Sequence, residues 1–188
     1  KDRAEELGWI SESIEATVKV LEADDWGELK QKIQENREDY DILAFRGGDH
    51  ELNRKAFSTP KMDVMLHPEK GRKDSGMNHG DAERASENKV AVGFTLKQVP
   101  EDGKRQSQIL SKWRRNLKLC EKYDAPYIIT TEAEKRSEIR KPRDMAAVTK
   151  SLGGKELKSV AKYPEEILEE NRKARSSKTG KAGVEPVE

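Results

Sequence analysis

The chain has 188 residues, enough for one domain with a hydrophobic core. Charged residues make up 39% and hydrophobic residues 33%, but 37 basic and 36 acidic side chains leave a net charge of only +1. The overall charge therefore predicts no nucleic-acid binding, and any basic surface must be local. A single cysteine excludes an internal disulfide framework and a cysteine-based zinc site. With no apolar run near the roughly 20 residues of a membrane span, and no signal-peptide pattern, we expect a cytoplasmic protein.

Short apolar segments alternate with helical patterns along the chain. Strands are predicted at Thr17–Leu21, Tyr40–Phe45, Met62–Leu66, Val90–Leu96 and Tyr127–Thr131. Helices are predicted at Asp25–Arg37, after Asp49, at Asn78–Asn88, at Arg105–Tyr123 and from Pro142 to Leu152. A last helical region is predicted across Lys155–Arg175, with an interruption at Pro164. Strands that alternate with helices indicate a parallel α/β sheet. We expect one α/β domain over residues 1–175, whose barrel-like form is implied by the resemblance given below, and a disordered basic tail over residues 176–188.

A polar, turn-rich loop follows the third predicted strand. Pro68 cannot continue the strand, and Gly71 and Gly76 permit backbone angles that other residues resist. Arg72 and Lys73, which we expect to be exposed, lie between the carboxyl end of this strand and the start of the next helix. Because sites in α/β folds are built at that edge of the sheet, the sequence predicts an anion-binding surface there.

This loop is one of several sequence blocks that point to a known family. The blocks are RGGDHELNRKAF at 46–57, HPEKGRKDSGMNH at 67–79, KWRRNLKLCEKYDAPYIITTEAE at 112–134 and RKPRD at 140–144. In this order they resemble archaeal ribonuclease P protein component 3, the homologue of the thirty-kilodalton subunit of eukaryotic ribonuclease P. The resemblance covers roughly residues 17–172. It implies a TIM-type (β/α) barrel of the PHP-like superfamily, which in this chain looks incomplete at the amino end.

The resemblance also implies a function. The chain is expected to be a non-catalytic protein subunit that supports the catalytic RNA of ribonuclease P in removing the 5′ leader of precursor tRNA. Expected partners are that RNA, precursor tRNA and the other protein subunits, especially a small RNA-binding-like subunit. Mg²⁺ would be bound at the RNA, and the chain itself would carry no metal, cofactor or catalytic residue.

The longest predicted helix has the strongest local charge in the chain. The segment Gly103–Lys118 contains no acidic residue. Trp113 lies on the apolar arc of this helix, which predicts a core position despite its basic neighbours. The candidate RNA-binding residues of this segment are Lys112, Arg114, Arg115 and Lys118. A row of cations binds phosphates without reading bases, whereas an ordinary solvated face usually mixes both signs of charge.

Further basic residues fall mostly at strand ends or helix starts within the matching blocks. These candidate RNA-binding residues are Arg46, Arg54, Arg72, Lys73, Arg140 and Arg143. A guanidinium group in such a place binds phosphate in a bidentate manner. The alternative for each residue is a structural ion pair with a carboxylate such as Asp74, Asp144 or Glu69. Both interpretations stay open for any single residue, while the set favours RNA contact.

Two rival functions remain open. A PHP-like, metal-dependent phosphoesterase could use His67, Glu69 and His79 as ligands, but the His-x-His pair that opens such sites is absent. Histidines outside a cluster are more often plain polar residues than metal ligands. The other rival is a purely structural partner protein that does not contact RNA.

The predicted helix at 78–88 has an unusual composition. Asp81 and Arg84 occupy positions where the family usually shows aliphatic residues. Only Ala82 and Ala85 are then left to pack against the core, and no property of the sequence accounts for the two polar residues.

Overall fold

A computed structural model describes residues 16–100, 102–155 and 163–179. Within these residues the strands are β1 (Val18–Leu21), β2 (Ile42–Arg46), β3 (Val64–Leu66), β4 (Ala91–Thr95) and β5 (Tyr127–Thr130). They form one sheet in sequence order, and each strand pairs in parallel with the next. The predicted α/β class and the predicted strands are confirmed. The fold resembles a TIM-type barrel, although the described strands form an open sheet.

Helices connect the strands at the predicted places. In the described part of the chain they are α1 (Trp26–Asn36), α2 (His50–Phe57), α3 (His79–Glu87), α4 (Gly103–Tyr123), α5 (Pro142–Ser151) and α6 (Tyr163–Thr179). Helix α4 begins two residues earlier than predicted because Asp102 caps it by accepting a hydrogen bond from the Lys104 amide. None of these helices is both long and apolar enough to cross a membrane.

The last helix differs from its predicted span. Within the described residues it starts at Tyr163, so Pro164 lies in the first described turn, where a missing N–H group is tolerated. Residues 156–162, predicted to start this helix, lie outside the described residues. The helix runs to Thr179 and so includes the first four residues of the predicted tail. Residues 180–188 of that tail also lie outside the described part.

The two faces of the sheet are buried against different partners. One face packs on the helices and carries large side chains such as Phe45, Met65 and Phe94. The opposite face carries a smaller apolar cluster centred on Val64 and Leu66, with Ile167 of α6 packed against it. Because side chains alternate along each strand, the apolar runs of the sequence supply both faces.

Polar contacts hold α6 at the amino ends of the strands. The side-chain amide of Asn171 donates hydrogen bonds to the Asp41 carbonyl at 3.0 Å and to Asp63 Oδ1 at 2.9 Å. Arg37 binds the other carboxylate oxygen of Asp63 at 2.6 Å, and Arg175 pairs with the Asp41 carboxylate. The buried aspartates are thus compensated, as a low-dielectric environment requires.

The structure explains the two polar residues of α3. Asn78 caps the helix, and the Asp81 carboxylate accepts a hydrogen bond from the Asn78 amide at 3.0 Å, so the two residues form a capping box. Asp81 also pairs with Arg84 at 3.3 Å. Ala82 and Ala85 are fully buried, as predicted. Asp81 therefore stabilises the helix start through hydrogen bonds.

Trp113 joins α4 to the sheet. Its side chain is fully buried and makes an edge-to-face contact with Phe94, with ring centroids 5.4 Å apart. Its indole N–H donates a hydrogen bond of 2.9 Å to the buried Glu69 carboxyl. The predicted core position of Trp113 is confirmed.

We expect Trp113→Ala to lower the free energy of unfolding by roughly 3–5 kcal/mol, because it opens a cavity and removes the donor to Glu69. The measurement is urea denaturation followed by circular dichroism. Trp26→Ala is the matched control, since Trp26 is only partly buried, and its loss should be clearly smaller. Equal losses in the two variants would contradict the central role of Trp113.

Candidate nucleic-acid interface

The loop that follows β3 has several residues with positive φ angles, a backbone conformation that favours glycine. His67, Gly71 and Gly76 adopt positive φ angles of 53°, 69° and 71°. A Cβ atom at Gly76 would lie 1.8 Å from the Pro68 carbonyl oxygen, so no side chain fits there. The loop therefore folds back on itself directly at the carboxyl end of the sheet.

A buried asparagine on α2 holds this folded loop together. The side-chain amide of Asn53 donates hydrogen bonds to the carbonyls of Pro68 at 2.9 Å and Gly76 at 3.1 Å. Its carbonyl oxygen accepts a bond of 3.0 Å from the Gly48 amide. One side chain thus ties together two loops at the same edge of the sheet. Sequence reasoning missed Asn53, although an asparagine beside Leu52 on the apolar face of a short helix was a usable signal.

Helix α4 is fastened to the same loop. Asn116, also buried, donates a hydrogen bond of 2.8 Å to the Ser75 carbonyl. Arg115 donates to the Met77 carbonyl at 2.7 Å and to the Ser75 hydroxyl. Lys112 donates to the carbonyl of Arg72. The loop and the basic helix therefore form one unit, which we call the loop–helix unit (residues 67–78 and 103–123).

An open groove of about 570 Å³ runs between the two parts of the loop–helix unit. Its lining residues are Arg72, Lys73, Ser107, Gln108, Ser111 and Lys112. The Arg72 guanidinium donates two hydrogen bonds of 2.7 Å to the Asp74 carboxylate, and it lowers the pKa of that carboxyl to about 2. Only 19% of the Arg72 side chain is accessible to solvent. Arg72 is therefore partly buried, whereas the sequence predicted an exposed side chain. Lys73 is exposed, as expected.

The candidate RNA-binding residues divide into two groups. The residues of the first group are exposed on the surface: Arg54, Lys73, Arg114, Lys118 and Arg143. Hydrogen bonds or ion pairs within the protein involve Arg46, Arg72, Lys112, Arg115 and Arg140, of which Arg115 and Arg140 are also exposed. The loop–helix unit brings together the candidates from 72 to 118. Arg46, Arg54, Arg140 and Arg143 lie on other elements, at the end of β2, on α2 and around the start of α5.

A second polar cluster lies at the carboxyl ends of the strands. Arg46 pairs with Glu22 at 3.1 Å and with Glu132 at 3.6 Å, and Glu132 lies 3.7 Å from His67 Nε2. His67 Nδ1 in turn lies 4.0 Å from the carboxyl of Glu69. Burial raises the pKa of Glu69, an effect that the hydrogen bond from Trp113 opposes. Sequence reasoning did not find the role of Glu132 in this cluster.

The three residues considered as metal ligands are not assembled into a metal site. His67 is fully buried beside Glu132, and Glu69 accepts the indole hydrogen bond. His79, by contrast, is exposed and bonded to the Tyr123 hydroxyl at 3.0 Å. Across residues 16–100, 102–155 and 163–179, no group of three or more histidine, cysteine, aspartate or glutamate side chains is arranged to hold a metal ion.

Comparison with known proteins identifies similar sequences and a similar structure. The family model described as RNase P subunit p30 matches residues 17–176. Ribonuclease P protein component 3 of Methanocaldococcus jannaschii is 35% identical over 156 residues, which are 81% of this chain and 67% of the relative. The Methanosarcina acetivorans protein of the same name is 33% identical over 148 residues, 77% of this chain and 62% of the relative. The chain thus spans about two thirds of the length of these relatives.

A solved structure matches the whole fold. It is a chain in a cryo-EM structure of archaeal ribonuclease P with mature tRNA. The TM-score is 0.81 at 30% sequence identity, and the match covers 100% of this chain and 84% of the other. The similarity therefore extends from the sequence blocks to the arrangement of the described sheet and helices.

The buried Glu69 predicts a pH-dependent stability. The pKa of Glu69 is raised in the folded state. The contribution of Glu69 to the free energy of unfolding is therefore fully present below its unfolded-state pKa of about 4.3, and it is lost as the pH rises through its folded-state pKa. Glu69→Gln removes this titration, while the amide oxygen still accepts the bond from Trp113. We expect the stability of the variant relative to the natural chain to increase with pH above about 4.3.

Urea denaturation at a series of pH values measures this difference. Glu87→Gln, a change at an exposed side chain, is the matched control. The same pH trend in both variants would contradict an effect of burial at Glu69.

Proposed function

Because the chain belongs to the RNase P subunit p30 family, we propose that it is a protein subunit of ribonuclease P that supports the catalytic RNA in removing the 5′ leader of precursor tRNA. The observation that carries this proposal is the family match over residues 17–176. Further support comes from the similar chain that was solved within archaeal ribonuclease P with mature tRNA. In this proposal the RNA performs the cleavage with Mg²⁺ bound to it.

The loop–helix unit supplies the RNA contact in this proposal. Exposed cations bind phosphates without selecting a sequence, and Lys73, Arg114 and Lys118 are exposed on neighbouring parts of the unit. The engaged cations serve a different purpose, since Lys112 and Arg115 hold the helix on the loop. Arg54, Arg140 and Arg143 would extend the contact beyond the unit, while Arg46 belongs to the strand-end cluster.

The proposal includes protein partners. Other ribonuclease P subunits, especially the small RNA-binding-like subunit implied by the family resemblance, would bind the same RNA together with this chain. No membrane takes part. A protein that only bridges other subunits, without touching RNA, is the alternative. Nucleotides protected near this chain in the assembled particle would argue against it, and a footprint without such protection would favour it.

Cleavage assays test the proposal. The purified chain alone should not cleave precursor tRNA, and its addition to the reconstituted RNA and partner proteins should raise the rate of leader removal. Cleavage by the chain without any RNA subunit would overturn the proposed division of labour. An unchanged rate of the reconstituted particle would overturn its supporting role.

We expect the double change Arg114→Ala and Lys118→Ala to weaken RNA binding by about tenfold at physiological salt, because two phosphate contacts are lost. The slope of log affinity against log salt should become shallower by about 0.7 for each lost contact to a single strand. Fluorescence anisotropy with labelled RNA measures both quantities.

The double change Lys30→Ala and Lys61→Ala removes the same charge from exposed positions elsewhere and serves as the control. Exposed substitutions usually change stability by under about 0.5 kcal/mol, so both variants should stay folded. An equal loss of affinity in the two double variants would reduce the effect to net charge and contradict the assigned site.

A further inference from the structure

One face of α4 has a neutral section between cations. At about 100° per residue, Lys104, Gln108, Ser111, Arg115 and Lys118 fall within an arc of roughly 80°, and Ser107 adjoins it. The order along this arc is a cation at 104, neutral hydrogen-bonding side chains at 107, 108 and 111, and cations at 115 and 118. From Lys104 to Arg115 the helix rises by roughly 16 Å, a length that covers several nucleotides of one strand.

The neutral section forms one wall of the groove in the loop–helix unit. Ser107, Gln108 and Ser111 are exposed and line the groove opposite Arg72 and Lys73. Its volume of about 570 Å³ lies within the range of roughly 300–1,000 Å³ that is typical of small-ligand sites. The groove therefore has room for part of a polynucleotide backbone, and its α4 wall combines these three neutral side chains with the half-buried Lys112.

The three neutral side chains have the chemistry that a hydroxyl group requires. Ser107 donates its own proton to the Gly103 carbonyl at 2.8 Å, so its oxygen remains an acceptor. A glutamine amide and a serine hydroxyl each donate and accept, so Gln108 and Ser111 complement a hydroxyl in either role. A phosphate, which only accepts, would be served better by further cations than by these side chains.

We propose that the groove takes one strand of RNA, with ribose 2′-hydroxyl groups against Ser107, Gln108 and Ser111. The phosphates of this strand would lie on the exposed cations Lys73, Lys104 and Lys118. The inference rests on the proposed function, because it refines the RNA contact of the same loop–helix unit. The 2′-hydroxyl is the group by which a protein distinguishes RNA from DNA. The site therefore prefers RNA to DNA of the same sequence, although its cations treat both alike.

The test compares an oligouridylate with the oligodeoxyuridylate of equal length, which differ only in the 2′-hydroxyl. The full chain should bind the RNA probe more tightly in an anisotropy titration. The triple change Ser107→Ala, Gln108→Ala and Ser111→Ala should weaken RNA binding by about tenfold and DNA binding by less than about twofold. Alanine favours the helix at these exposed positions, and unchanged urea denaturation checks that the fold is kept.

Arg114→Ala with Lys118→Ala is the matched comparison, since it should weaken both probes equally. Equal affinity of the natural chain for the two probes would overturn this inference and leave the proposed RNA contact intact. The same holds if the triple variant weakens both probes alike. Failure of the natural chain to bind either probe would overturn the inference together with the proposed RNA contact.

Discussion

The architecture of the candidate interface depends on how the carbonyl groups of the loop after β3 are satisfied. This loop turns back on itself at residues 67–76 and would leave polar backbone atoms buried without partners, which is costly. Asn53 and Asn116 supply the missing donors from α2 and α4. Two neutral amides therefore fix the relative positions of the sheet edge, the loop and the basic helix. The charges on that surface therefore owe part of their arrangement to two side chains that carry no charge.

The same principle separates the basic residues by role. A guanidinium group whose bonds lie within the protein contributes to position, whereas an exposed one without such bonds is available for the proposed RNA contact. Arg72 forms a two-bond pair with Asp74, and Arg46 lies among the carboxylates at the strand ends. Their positive charge is largely compensated locally. Arg114 and Lys118 project from a helix segment without acidic residues, so their field extends into solvent.

Periodicity predicted the sheet and the helices because the strands are apolar on both faces and α4 has a continuous apolar arc. Trp113 could be placed in the core from this arc alone. The contacts made by Asn53, Asn116 and Glu132 could not be predicted, since each joins segments far apart in sequence and depends on how loops meet in space. Asp81 had no explanation at the level of the sequence, and the structure supplies one by placing it three residues after Asn78 in a capping box. Sequence reasoning likewise listed the candidate basic residues without separating those that form ion pairs from those that are exposed.

The hydrogen bonds between α4 and the loop also determine which molecule would have to change conformation on binding. Hydrogen bonds from Asn116, Arg115 and Lys112 hold the two walls of the groove at a set spacing. A surface that is already ordered loses little conformational entropy when it binds, so the cost of ordering falls on the more mobile molecule. In the proposed complex that molecule is the RNA, whose single-stranded segments sample many shapes. The loop–helix unit would then serve as a rigid template that selects one backbone conformation of the RNA.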